Sequence, residues 1–183
     1  MSKLLKILGI FAGVIILLMG FGFMLPGQAH VEREILIAAN PEEVFPYIGD
    51  FHAWKDWSPW AKMDPAAEFS LSGQGLGQRM EWNSENPDVG QGAQEVIAFE
   101  APGMMQTHLE FEGQGLADAT FNLQPRKEGT LVTWSLDANL SEKTPLLFKP
   151  ISNYFAVMMD SMVGPQYEIG LNSLKSLVEE SQA

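Results

Sequence analysis

Hydrophobic and polar positions divide the chain into three regimes. The first runs from Ile7 to Leu25 and reads ILGIFAGVIILLMGFGFML, 19 residues without a charged or strongly polar side chain. A helix of that length, rising about 1.5 Å per residue, spans about 28 Å, close to the hydrocarbon thickness of a bilayer. A soluble amphipathic helix would carry a polar stripe, and this segment has none. Pro26-Gly27 ends the run with a helix stop.

The second regime alternates with period two. Val31, Ile35 and Ile37 share one parity within Val31–Ala39, which predicts a strand. Asn40-Pro41-Glu42-Glu43 then predicts a helix start, with Asn at the cap, Pro at the first helical position and carboxylates in the first turn. Val44, Phe45, Tyr47 and Ile48 give this short helix its apolar side. In FHAWKDWSPWAKM, from Phe51 to Met63, Trp54, Trp57 and Trp60 recur every three residues, so a short helix or turn places them roughly on one side. Alternating stretches follow: Phe69 with Leu71, Met80 with Trp82, Ala93 with Glu95, Ile97 and Phe99, Thr107 with Leu109 and Phe111, Ala117 with Ala119, Phe121 and Leu123, and Val132 with Trp134, Leu136 and Ala138. Gly73–Gly77, Gly113-Gln114-Gly115 and Arg126–Gly129 read as turns between them. Short alternating runs at regular spacing predict an antiparallel sheet with one covered face.

In the third regime, from Ile151 or Ser152 to Glu180, the period returns to that of a helix. Phe155, Met158, Met159, Met162, Ile169, Leu174, Leu177 and Val178 form a broad apolar side, and Gly164-Pro165 is expected to kink it. The sheet's apolar face is most easily buried by laying this helix across it. The expected architecture is therefore α+β: a curved antiparallel sheet wrapped around a long C-terminal helix (a helix-grip), with an N-terminal transmembrane helix. Residues 1–29 form the anchor and linker, and residues 30–183 the helix-grip domain.

Composition sharpens this picture. Hydrophobic residues make up 46% of the chain and charged residues 19%, enough for a core and against disorder. With no cysteine, a disulfide scaffold, a thiolate zinc site and a Cys nucleophile are excluded. The net charge of −12 repels phosphate backbones, so nucleic acid is not an expected partner. The apolar N-terminal run fits a retained anchor or a cleaved signal peptide, for which Gly27-Gln28-Ala29 supplies small residues. Its length exceeds the roughly 7–15 residues of a signal core, which favours the anchor. Lys3 and Lys6 before the run, and Glu32 and Glu34 after it, orient the N-terminus to the cytoplasm and the domain to the extracytoplasmic side, the periplasm in a Gram-negative cell.

Several segments carry a family likeness: Ile35–Phe45 (ILIAANPEEVF), Trp54–Trp60 (WKDWSPW), Gly129–Trp134 (GTLVTW) and Gly170–Lys175 (GLNSLK). Over roughly residues 30–180 the chain resembles the START-like (SRPBCC) superfamily of polyketide cyclases, Bet v 1-type allergens and lipid-transfer domains. More narrowly it is similar to bacterial polyketide cyclase/dehydrase-like proteins with an N-terminal membrane helix. The resemblance implies an elongated cavity for an apolar ligand between sheet and helix, and no universal catalytic residues.

Residues suited to lining such a cavity are Trp54, Trp57, Trp60, Met80, Trp82, Phe99, Leu109, Phe121, Trp134, Met158 and Met162: methionine adapts to loosely specified ligands, and aromatic rings bring large apolar faces. Each is also an ordinary core candidate. Catalytic groups are not recognisable. His30, His52 and His108 lie on different elements without metal-ligand spacing, so neither a metal nor a cofactor is expected. Glu95 shares the parity of Ile97 and Phe99; if that face points inward, its carboxylate needs a partner such as Arg79 or Arg126. The expected function is membrane-tethered binding or carriage of a lipid or other hydrophobic small molecule. A cyclase/dehydrase-like enzyme using the same cavity, and an envelope interaction module without ligand, stand beside it.

Overall fold

The computed structural model describes residues 3–111, 115–142 and 144–182. Helix α1 is Lys3–Gly22, and β1, Gln28–Ile37, follows it. Helix α2 is Pro41–Gly49, where the Glu43 carboxylate accepts from the Asn40 N–H at 2.8 Å, as the expected helix start requires. A 3-10 turn at Phe51–Ala53 leads into two short helices, α3 (Trp54–Trp57) and α4 (Pro59–Met63). The remaining strands are β2 (Glu68–Ser72), β3 (Arg79–Asn83), β4 (Gln91–Glu100), β5 (Met104–Phe111), β6 (Gly115–Arg126) and β7 (Gly129–Asn139). A 3-10 turn at Leu146–Phe148 precedes α5, Lys149–Glu180, which continues through Gly164-Pro165.

All seven strands form one antiparallel sheet in the order β1-β7-β6-β5-β4-β3-β2. The chain meanders from β2 to β7, and β1 closes the far edge beside β7. The β6–β7 turn needs glycine at 129. Its φ is +137°, and a side chain there would run into the Ile37 carbonyl. Of the expected turn at Gly113-Gln114-Gly115, Gly113 and Gln114 lie outside the described residues.

Strand register sorts the side chains into cross-sheet rows on the face toward α5. One row is Phe99, Met105, Phe121, Trp134 and Arg33. The next is Val96, Thr107, Ala119, Leu136 and Val31, and then Gln94, Leu109, Ala117, Ala138 and Ala29. The core follows from these rows: Val31, Val96, Met105, Phe121 and Trp134 are buried, together with Tyr167, Leu171, Leu174 and Val178 of α5. Each fully buried side chain of this size contributes roughly 1.5–3 kcal/mol.

Parity fails at one place. A β-bulge at Ile97 puts an extra residue between Val96 and Ala98. Val96 and Phe99 therefore both face inward, while Glu95 and Ile97 face out. Glu95 is a half-exposed partner of Arg79 at 3.6 Å, on the outer face with Glu81 and Glu110 around the same guanidinium, so its carboxylate is not buried.

Helix α5 lies along β1 and touches β7 only slightly. Three polar bridges hold it there. Arg33 binds Asp160 at 2.8 Å and Glu168 at 2.7 Å, Lys175 donates to the Leu36 carbonyl at 2.9 Å, and the Glu179 carboxylate accepts from the Ala38 N–H at 2.9 Å. The hydrogen bond from Arg33 holds the Asp160 carboxyl below its usual range. That contribution is present at neutral pH and fades as acid protonates Asp160 through its lowered value.

Candidate functional site

The tryptophan segment is placed by its own backbone. Asp50 caps the 3-10 turn by accepting from the His52 N–H at 2.9 Å, and α3 and α4 then carry the rings over the inner face of the sheet. Trp54 donates to the Ile48 carbonyl and Trp57 to the Tyr47 carbonyl, both at 2.8 Å. Both rings are thereby satisfied and buried.

They join a continuous aromatic cluster. Trp57 lies 5.0 Å from Trp54, 6.0 Å from Phe121 and 5.6 Å from Trp134, measured between ring centroids. Tyr167 of α5 stacks on Trp134 at 3.8 Å, and Phe121 also stacks on Trp134, at 4.6 Å. Trp60 is half-buried at the border of the cluster, 5.8 Å from Trp134 and 6.1 Å from Tyr167. Of the sequence candidates, the structure thus brings Trp54, Trp57, Trp60, Phe121 and Trp134 together. The resemblance implies an elongated cavity between sheet and helix; at this aromatic end buried side chains fill the space.

The other candidates are distributed more widely. Met80 is buried next to Gln94, and Leu109 is half-buried in the same row. Trp82 packs on Phe111 at 5.8 Å and donates to the Val89 carbonyl at 3.2 Å. Phe99 meets Phe45 edge-on at 5.2 Å. Met158 and Met162 differ from the expectation of facing the sheet: they are 53% and 55% exposed. The helical period explains it. With Ala156, Tyr167, Leu171 and Leu174 facing the core, positions 158 and 162 come up on the opposite side of α5.

Sequence reasoning missed three features. Arg33 shares the parity of Val31 and Ile35, so it had to face inward and find partners, which Asp160 and Glu168 supply. Tyr167 is the second: burial pushes its phenol well above its ordinary value, so it keeps its proton at neutral pH. The third is a gradient in side-chain size. Along β6 and β7 the inner rows pass from Phe121 and Trp134, through Ala119 and Leu136, to Ala117 and Ala138. Ala29 of β1 ends the small row, just after α1.

An open groove of about 860 Å³ lies at that alanine end, lined in part by Pro26, Ala29, Ala117, Ala138, Leu140 and Thr144. The same groove is lined from the outer face by His30 with Asp137 at 2.7 Å and His108 with Asp118 at 2.6 Å, both pairs solvent-accessible, and among the described residues none of its lining belongs to α5. No group of His, Asp or Glu suited to a metal ion occurs among the described residues. The Trp134 indole N–H is buried without a hydrogen-bond partner among the described residues. Such a donor costs about 1–3 kcal/mol unless a water or ligand oxygen meets it.

One antiparallel sheet of seven strands with a long C-terminal helix lying along it is a helix-grip fold. Residues 28–179 match the family model described as polyketide cyclase / dehydrase and lipid transport, and the chain belongs to that family. None of the curated proteins matches the sequence. Among solved structures, a Staphylococcus aureus protein of unknown function is similar with a TM-score of 0.61 at 16% identity, over 85% of this chain and 96% of that one. A point mutant of norcoclaurine synthase from Thalictrum flavum, in complex with a transition-state analogue, is similar with a TM-score of 0.63 at 12% identity, over 85% of this chain and 97% of that one. A Mesorhizobium loti protein is similar with a TM-score of 0.57 at 17% identity, over 82% and 97%. At identities this low the likeness shows the fold alone.

Proposed function

We propose that this protein binds a lipid or a similar apolar molecule between the alanine end of the sheet and α5, while α1 holds it on a membrane. The observation that carries this reading is the gradient of side-chain size, which leaves Ala29, Ala117 and Ala138 where aromatic rings stand two rows away. Met159 and Val163 of α5, both half-buried, pack against the same apolar core. Trp60 and Trp134 bound the site at its closed end, and the unpaired indole N–H of Trp134 supports a polar ligand atom or water beside that wall.

Helix α1 is long and apolar enough to cross a membrane. Its fit to the domain supports a retained anchor over a removed signal. The side-chain amide of buried Asn153 donates to the Gly22 and Leu25 carbonyls at 2.9 and 3.0 Å, and the Tyr154 hydroxyl donates to the Leu18 carbonyl at 2.8 Å. Cleaving α1 would leave this receptor surface empty and the Asn153 amide short of both acceptors. The alanine end of the sheet adjoins the point where α1 ends, so a ligand drawn from the bilayer has a short route. The charge pattern around α1 supports an extracytoplasmic domain.

Titration with 9,10-dibromostearate tests the binding. Bromine quenches tryptophan on contact, and all five tryptophans lie outside α1. Full-length protein in uncharged micelles is expected to lose emission saturably at one equivalent. Quenching that stays linear in added fatty acid, as for simple partitioning into the micelle, contradicts the reading.

A further inference from the structure

Helix α5 has two apolar faces, and the core uses one. Leu147 and Phe148 in the preceding turn, then Ile151, Phe155, Met158 and Met162, are each between 47% and 68% exposed. Their spacing of three and four residues puts them on one stripe, opposite the face that packs on β1. No Asp, Glu, Lys or Arg falls on that stripe over these four turns. The two charged residues of the same stretch, Lys149 and Asp160, lie off it, and Asp160 is committed to Arg33.

The stripe changes character with distance from α1. Ile169 is its last exposed apolar member, and the same face then carries Asn172, Ser173, Ser176 and Glu180. Its apolar half is the half that meets α1: Pro150 abuts Gly22, the Tyr154 ring lies 6.5 Å from that of Phe21, and Asn153 and Tyr154 bind the carbonyls at the end of α1. Phe23 and Met24, just past α1, are exposed apolar residues as well.

We infer that the first half of α5 lies in the bilayer interface, with its outward stripe among the upper acyl chains. The inference rests on the reading of α1 as a membrane span, because that span sets where the membrane boundary meets α5. An apolar stripe that ends as it leaves the anchor fits a boundary fixed by that anchor. Its lack of charge fits binding driven by apolar burial and independent of anionic lipid, which a chain of net charge −12 would repel. Tyr154 stands at the junction, where an amphipathic ring suits the headgroup level.

The chain has no cysteine, so single labels can be placed at will. F155C, M158C and M162C, each carrying an environment-sensitive fluorophore, are reconstituted as full-length protein in phosphatidylcholine vesicles. S176C serves as the distal control on the same face, and V14C reports the middle of α1. The three proximal labels are expected to emit as in an apolar medium and to be quenched most strongly by nitroxide lipids about 5–10 Å below the headgroup boundary. The Ser176 label is expected to remain water-like and unquenched. Water-like emission at 155, 158 and 162 overturns the inference, and so does apolar emission without nitroxide quenching, which identifies a second copy or another protein as the cover. Deep quenching at 14 with none on α5 leaves the span intact and removes only the docking, whereas no quenching at 14 shows that the span itself is wrong.

Discussion

Trp57→Ala is expected to lower the stability of the domain by about 3–5 kcal/mol, the range for removing a large aromatic from a core. For a chain of this size that corresponds to a melting temperature lower by about 10 °C. The ring is fully buried and touches Trp54, Phe121 and Trp134, so its removal opens a void at the centre of the aromatic cluster. It also strips the Tyr47 carbonyl of its donor, which loosens the junction between α2 and the tryptophan segment. Thermal denaturation followed by near-ultraviolet circular dichroism reads the effect, because clustered tryptophans dominate that signal. A loss below about 1 kcal/mol would mean that the cluster is malleable and does not close the aromatic end of the site.

The second large effect is on binding. Ala117→Phe and Ala138→Phe each place an aromatic ring in the row of small, buried side chains that the proposed site uses. Each is expected to weaken saturable quenching by dibromostearate at least tenfold, about 1.4 kcal/mol in affinity. The near-ultraviolet spectrum should stay that of the folded domain. Two positions are used because overpacking a snug site costs about 1–3 kcal/mol in itself, and a variant that unfolds is recognised by the lost spectrum. Unchanged quenching in two folded variants would place the ligand elsewhere. Met158 and Met162, which face away from the sheet, should tolerate substitution in this assay without effect.

Period-two alternation was a reliable guide wherever a strand ran straight. The parity of Phe121 and Leu123 in β6, and of Val132, Trp134 and Leu136 in β7, is the parity of the core. It misled at Ile97, because a bulge inserts one residue without any mark in composition; the inward placement of Glu95 turned over with it, while the expected pairing with Arg79 stands. The broad apolar side of α5 posed a different difficulty. Residues 155, 158 and 162 and residues 167, 171 and 174 are equally apolar in one dimension, and only packing on β1 separates the covered face from the open one. Arg33 was hidden because a charge at an inward position looks like an exception to alternation until its two carboxylate partners, more than a hundred residues later, are known. The alanines drew no attention because smallness signals nothing until neighbouring strands align Ala117 and Ala138 with Ala29. The aromatic wall was legible as a set of tryptophans, but not the fact that its rings fill the space between them.

The claim on which the account depends is that a lipid sits between the alanine end of the sheet and α5. A fatty acid carrying a photoreactive diazirine near its tail, incorporated with the full-length protein in vesicles and irradiated, tests it most directly. Peptide mapping by mass spectrometry is expected to find adducts on the segments bearing Leu109, Ala117 and Ala138, and on Met159 and Val163 of α5. Adducts confined to α1 and the outward stripe of α5, with none on the sheet, would show a domain that touches lipid only from outside and would contradict the account.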